Sequence, residues 1–204
     1  MKAVSSRGAK TKQRLIETAS DLFHMKGVAS TSPDEIIEIS GTGKGQFYYY
    51  FENKNDLVHQ VLEAHLGMIE SGTAPVRYAI GSWEDLERWF LDQVELQKKF
   101  QMTRGCPFGT IGNGLTGQDE LIRLDLCRIF DAVRMRIAAF FIKEKAQGRL
   151  AQETDEELLA DYCIAVAQGA MLMGKIRRSN QAVETAMREA LAHLRQFARS
   201  DRAN

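Results

Sequence analysis

The run Lys44-Gly45-Gln46-Phe47-Tyr48-Tyr49-Tyr50 concentrates groups that can recognise another molecule. An ammonium, an amide and three phenols lie within a few residues, and such groups hydrogen-bond phosphate oxygens and base edges. Phe47 and Phe51, at i and i+4, give the stretch an apolar side, so its other groups are predicted to occupy the rest of a short helix. That chemistry points to a DNA major groove. An aromatic cluster in a helical pair is also a common core, and spacing alone leaves both readings open.

A second reactive candidate is Cys106, in Arg104-Gly-Cys-Pro-Phe-Gly. At the first turn of a short helix, free N–H groups and the guanidinium would favour its thiolate over its thiol. Alkylation or oxidation there would couple electrophile or peroxide stress to the protein's activity; an unreactive, space-filling cysteine is the competing reading. Cys127 and Cys163, each in an apolar helical stripe, are expected to be inert. No nucleophile–base pair or paired carboxylate pattern accompanies Cys106, so no catalytic residue is assigned and the chain is not read as an enzyme. Cysteine and histidine are scattered, no metal site is visible, and no cofactor is expected.

The recognition stretch needs elements to hold it, because so short a helix is unstable alone. Ser32-Pro33 is a helix start, with a capping hydroxyl followed by proline at the first position. Ile36, Ile37 and Ile39 follow, and Ser40-Gly41-Thr42-Gly43 breaks the helix before the next begins. A first helix over about 9–26 carries Leu15, Ala19, Leu22 and Phe23 on one face, which closes a small three-helix core. The result is a helix-turn-helix.

From Leu15 to Leu57 the chain resembles the DNA-binding domain of TetR-family (TetR/AcrR-type) transcriptional regulators. The matching residues are Leu22-Phe23, Gly27, Thr31-Ser32, Gly41, Lys44-Gly45, Phe47-Tyr48, Phe51, Lys54 and Leu57, in order over about a fifth of the chain. Two positions depart from the pattern: Gly43 stands where the family has Ser or Thr, and Ser40 where it has a small apolar residue. The resemblance implies DNA contacts from Thr31, Ser32, Thr42, Gly43, Lys44, Gly45, Gln46, Tyr48, Tyr49, Tyr50 and Lys54. Within that set Lys44 and Gln46 are the base readers, and Thr31, Tyr48, Tyr50 and Lys54 the phosphate anchors.

The 204 residues carry 44% hydrophobic and 26% charged side chains with zero net charge. That suits a soluble globular protein and excludes a generally basic nucleic-acid binder. Lys2, Arg7, Lys10, Lys12 and Arg14 nevertheless precede the first acid, Glu17, an arm suited to phosphate or minor-groove contact. No apolar run spans a membrane and no signal peptide is seen. Three well-separated cysteines argue for a reducing cytoplasm.

Beyond residue 53 the pattern is helical throughout, predicting an all-α protein. Residues 1–53 form the helix-turn-helix domain with its basic arm, and 54–204 a helical effector-binding and dimerisation domain. Asn53 with Asp56, Ser82 with Asp85, Thr154 with Glu157, and Asn180 are predicted helix caps. The long helix over 119–148 is expected to turn Leu121, Leu124, Ile129, Val133, Ile137, Phe140 and Phe141 inward. An apolar pocket is expected between facing helices, lined by Trp89, Cys106, Phe108, Phe130 and Met171. The small and methionine-rich faces of the last two helices suit a homodimer seam of Tyr162, Val166, Ala170, Met187, Leu191 and Leu194, as the resemblance implies. The function expected is a ligand-responsive repressor, released from a pseudo-palindromic double-stranded operator by a small apolar or electrophilic effector. The alternatives are a helical dimeric interaction module without DNA binding, and a thiol-dependent enzyme using Cys106.

Overall fold

A computed structural model describes residues 6–117 and 119–199, with side chains from residue 8 onward. Lys2 of the basic arm and the Arg7 side chain lie outside the described residues. Among those described, the elements are all helical: α1 (Ser6–Lys26), α2 (Pro33–Ser40), α3 (Lys44–Tyr50), α4 (Lys54–Ser71), α5 (Trp83–Lys99), α6 (Pro107–Gly112), α7 (Glu120–Ala146), α8 (Glu156–Arg177) and α9 (Asn180–Arg195). One isolated antiparallel bridge joins Leu150 to Ala198. No described helix is long and apolar enough to cross a membrane.

The chain packs as two compact units interleaved in sequence. The first takes residues up to Gly67 together with Cys106–Arg128, and the second takes Met68–Gly105 with Ile129 onward. The expected division after residue 53 falls at the start of α4, whereas the packing places the boundary inside that helix, between Gly67 and Met68.

In the first unit α1 packs on α2, α3 and α6. Leu15, Ala19, Phe23, Ile36, Phe47 and Leu57 are fully buried there. Ser32 caps α2 by accepting from the Glu35 N–H at 3.2 Å, and Gly41 ends it at φ +61, a left-handed conformation that favours glycine. The Ser40 hydroxyl donates to the Ile37 carbonyl and pairs with the Thr42 hydroxyl at 2.9 Å. A hydroxyl in place of a small apolar residue is therefore satisfied locally. Asn53 caps α4 through the Asp56 N–H at 3.0 Å.

His65 of α4 faces α1, where its Nε2 lies 2.8 Å from the Ser20 hydroxyl. Burial, reinforced by nearby His24, pushes its pKa down to about 4. The folded protein thus holds His65 neutral, whereas the unfolded chain binds a proton at its ordinary value near 6.5. Stability from this site is complete above about pH 6.5 and is lost as pH falls toward 4, a change of about 3 kcal/mol. Urea unfolding at pH 7.5 and 5 should show about 2 kcal/mol of that loss in the native protein, and His65→Gln should flatten it.

In the second unit α8 and α9 pair closely and α5 packs on both. Gly174 makes the α8–α9 approach possible, since a Cβ there would lie 2.4 Å from Val183 Cγ2. Buried Gln97 brackets Gly105, donating to its carbonyl at 2.9 Å and accepting from its N–H at 3.1 Å.

Several expectations need correction. The α8 cap is Asp155, which accepts from the Glu157 and Leu158 N–H groups; the Thr154 hydroxyl is buried without a partner. Ser179 caps α9, and Asn180 is its first residue. Leu121 and Leu124 point outward, 56% and 46% exposed, because the inner side of α7 there is formed by Ile122, Asp125 and Leu126.

Candidate DNA-reading helix and effector unit

The reading surface is built from the turn upward. Gly43 lacks a capping side chain, and its N–H is instead held by Gln46 Oε1 at 3.0 Å, half of a capping box. That contact leaves the Gln46 amide nitrogen free of the cap and on the exposed side of α3. Phe47 is fully buried, with its ring 5.5 Å from that of Phe51. Anchoring on Phe47 turns Tyr48 and Tyr49 outward, 52% and 71% exposed. Tyr50 is half-buried against the Tyr49 ring, 4.9 Å away. Gly45 has open space where a side chain would be. From Ile39 through Phe51 no carboxylate interrupts this surface. Lys44 reaches Asp34 at 3.3 Å, but both are well exposed, and a pair in water is weak enough for an anion to displace.

The implied contact residues are not all on that surface. Lys44, Gly45, Gln46, Tyr48 and Tyr49 are brought together on exposed α3, with Ser32 exposed at the start of α2 and Gly43 before α3. Thr42 is half-buried and its hydroxyl is taken by Ser40. Thr31 is 1% exposed and donates to the Gly27 carbonyl at 2.8 Å, so its hydroxyl braces the α1–α2 turn rather than facing a phosphate. Lys54 Nζ donates to the Val28 and Thr31 carbonyls at 3.0 and 3.2 Å. Two of its three donors therefore close the same turn. Lys54→Ala should accordingly weaken all DNA sequences together and lower the unfolding temperature of the first unit; a change in sequence preference at unchanged stability would contradict this role.

The five pocket residues divide between the units. Trp89 and Met171 are buried in the second unit, where Phe130 is half-buried, whereas Cys106 and Phe108 belong to the first. Gln97 lies 3.6 Å from Met171 Sδ. Trp89 Nε1 is buried with no acceptor, a donor whose desolvation is uncompensated within the protein. Cys106 caps α6, its sulfur accepting from the Gly109 N–H at 3.4 Å. Burial pushes the Cys163 thiol well up, in keeping with an inert residue. Cys127 is not inside a stripe: it is exposed, 3.5 Å from an Arg123 guanidinium nitrogen. An open hollow of about 350 Å³ in the first unit is lined by Glu52, Asn53, Asn55, Asp56, Asp119, Leu121 and Ile122. Its three carboxylates make it neither an apolar pocket nor a phosphate site.

The seam residues also divide. Ala170, Met187 and Leu194 are at most 5% exposed within the single chain, because α8 and α9 use them against each other and α5. They belong to the intramolecular core. Tyr162, Val166 and Leu191 are half-buried. The outward face of α8 consists of Ala165, Gly169, Leu172 and Ile176, the last two 48% and 64% exposed. This run of apolar and small residues is unusual for water-facing surface.

Comparison with known proteins decides what this arrangement belongs to. The profile for tetracyclin repressor-like C-terminal domains matches residues 84–190, over half of the chain, and that for bacterial regulatory proteins of the tetR family matches 15–61. The chain belongs to the TetR family. An HTH-type transcriptional regulator from the lacX 3' region of Lactococcus lactis subsp. lactis is 26% identical over 185 residues, 86% of this chain and 88% of that protein. The HTH-type transcriptional repressor DhaR of Mycobacterium sp. (strain GP1) is 26% identical over 182 residues, 85% of this chain and 86% of that repressor. The crystal structure of a TetR-family regulator from Agrobacterium tumefaciens superposes with a TM-score of 0.80 at 19% identity, covering 91% of this chain and 98% of that one; this likeness is one of fold. Ligand-responsive, DNA-binding transcriptional regulation is the general behaviour of the TetR family, and the α3 surface has the form this chemistry needs.

Proposed function

We propose that this TetR-family chain works as a cytoplasmic homodimeric repressor with no catalytic step. Residues 1–53 read DNA, and 54–204 bind the effector and pair with a second copy. Two copies of α3 enter successive major grooves of a pseudo-palindromic operator. Lys44 and Gln46 read base edges, Tyr48 and Tyr50 contact phosphates, and Thr31 and Lys54 hold the turn behind them. The observation that carries this reading is the exposed, carboxylate-free face of α3 fixed by buried Phe47.

The effector is a small, largely apolar or electrophilic molecule bound in the second unit. Trp89 Nε1 supports that position, because a ligand acceptor would satisfy a donor the protein leaves alone. Binding favours a conformer whose two heads no longer match the half-site spacing, and by reciprocity operator DNA weakens effector binding. The pairing surface is the outward face of α8, Ala165, Gly169, Leu172 and Ile176, extended by Tyr162, Val166 and Leu191.

Selection of sheared genomic DNA on the purified protein, followed by sequencing, tests the reading. A short inverted repeat should be enriched, and Lys44→Ala or Gln46→Ala should each cost about 1–3 kcal/mol at particular bases. Recovery of no common sequence would support an interaction module without DNA reading.

A further inference from the structure

Within the first unit, α4 and α7 bring together three groups with metal-ligand chemistry. His59 and Glu63 are one turn apart on α4, and Asp125 comes from the early part of α7. One ligand atom of each lies within 4.8 Å of the other two, and His59 Nδ1 is 2.6 Å from Asp125 Oδ2. The Asp125 side chain is only 4% exposed. A carboxylate that deep requires hydrogen bonds and a compensating cation. The His59 ring supplies a hydrogen bond, and the cation among the described neighbours is Arg128, ion-paired with Glu63 and 3.5 Å from Asp125 Oδ1. The Arg128 side chain is 54% exposed, so its guanidinium can move into water provided another cation takes over the compensation of Asp125.

We propose that His59, Glu63 and Asp125 form a binding site for one divalent transition-metal ion of the zinc class, which displaces Arg128. One imidazole and two carboxylates make a nitrogen–oxygen donor set that zinc accepts, and three protein ligands leave a fourth position for water. Zinc holds such ligands at about 2.0–2.2 Å, so an ion between His59 Nδ1 and Asp125 must open their 2.6 Å separation. The shift needed is under about 1 Å at tetrahedral geometry. Glu63, with 40% of its side chain exposed, can close onto the ion. His59 binds as the neutral imidazole, so metal and proton compete for it. The ion ties α4 to α7 inside the unit that carries α3, and binding to the folded form alone stabilises that unit by mass action.

Calorimetric titration of the untagged full-length chain with zinc and cobalt chlorides tests the site, with Cys127→Ser as background to remove the exposed thiol. The expected result is one ion per chain, a visible cobalt spectrum of a low-coordinate site, and a higher unfolding temperature with zinc. His59→Ala and Glu63→Gln should each weaken binding by about tenfold or more. Arg128→Gln should tighten it, because the competing cation is gone. Glu63 and Arg128 are partly exposed, so these two variants remain informative even if His59→Ala folds poorly. No ion bound at 100-fold excess over protein, or an affinity unchanged by both Glu63→Gln and Arg128→Gln, overturns the proposal.

Discussion

Replacing Ile176 with glutamate is expected to leave a folded monomer that no longer retains operator DNA. Ile176 is 64% exposed in the single chain, so the carboxylate costs the isolated subunit little. In the proposed dimer the same position is enclosed by the partner, and two-fold symmetry introduces the charge twice. An unpaired buried carboxylate on each side costs about 3–5 kcal/mol, enough to dissociate the pair at micromolar concentration. Each half-site then binds alone, without the effective concentration a dimer provides. Sedimentation should give a monomer with unchanged helical content. A fully dimeric Ile176→Glu protein would place the seam elsewhere. Ala170→Glu is a useful contrast: Ala170 is 5% exposed within the chain, so that variant should unfold the second unit instead of separating two intact subunits.

The second large effect is expected at Phe47. Its ring is fully buried and joins α3 to the α1–α2 core. Truncation to alanine removes about 3–5 kcal/mol from a small unit whose seven-residue α3 has no stability of its own. Phe47→Ala should lose operator binding while the second unit keeps its helices and its dimer. Tyr48→Phe, which removes only an exposed hydroxyl, should keep the fold and weaken DNA modestly. Equal loss of binding in the two variants at equal stability would show that Phe47 does not act through the core.

How much of this was legible in the sequence follows from how local each signal is. Ser32-Pro33, Gly41, Asn53 with Asp56, and Ser82 with Asp85 marked helix ends correctly, because capping is settled within four residues. The α8 and α9 caps slipped by one residue where two adjacent side chains were both competent, Thr154 beside Asp155 and Ser179 beside Asn180. The seam was harder. α8 is apolar or small around much of its circumference, so periodicity does not say which side meets its own chain. Ala170, Met187 and Leu194 fell on the inner side and Leu172 and Ile176 on the outer. The resemblance implied α3 as the reading element, but not that Thr31 and Lys54 spend their donors on the carbonyls of the preceding turn. Cys127 was misread because α7 exposes one side along its first turns. The grouping of His59, Glu63 and Asp125 was not read from the sequence, because Asp125 is 66 residues away from His59 and nothing local brings them together.

The proposed dimer requires two copies of α3 to read two half-sites at a fixed separation. It is tested most directly by changing that separation in the operator recovered from genomic DNA. Half-sites one helical turn apart present the same face of the duplex, so inserting about five base pairs, half a turn, rotates one away. Gel shift with the native protein should show affinity falling toward its value for unrelated DNA, with one protomer at most retained per half-site. Undiminished binding of two protomers to the lengthened operator would rule out a fixed separation between the two copies of α3.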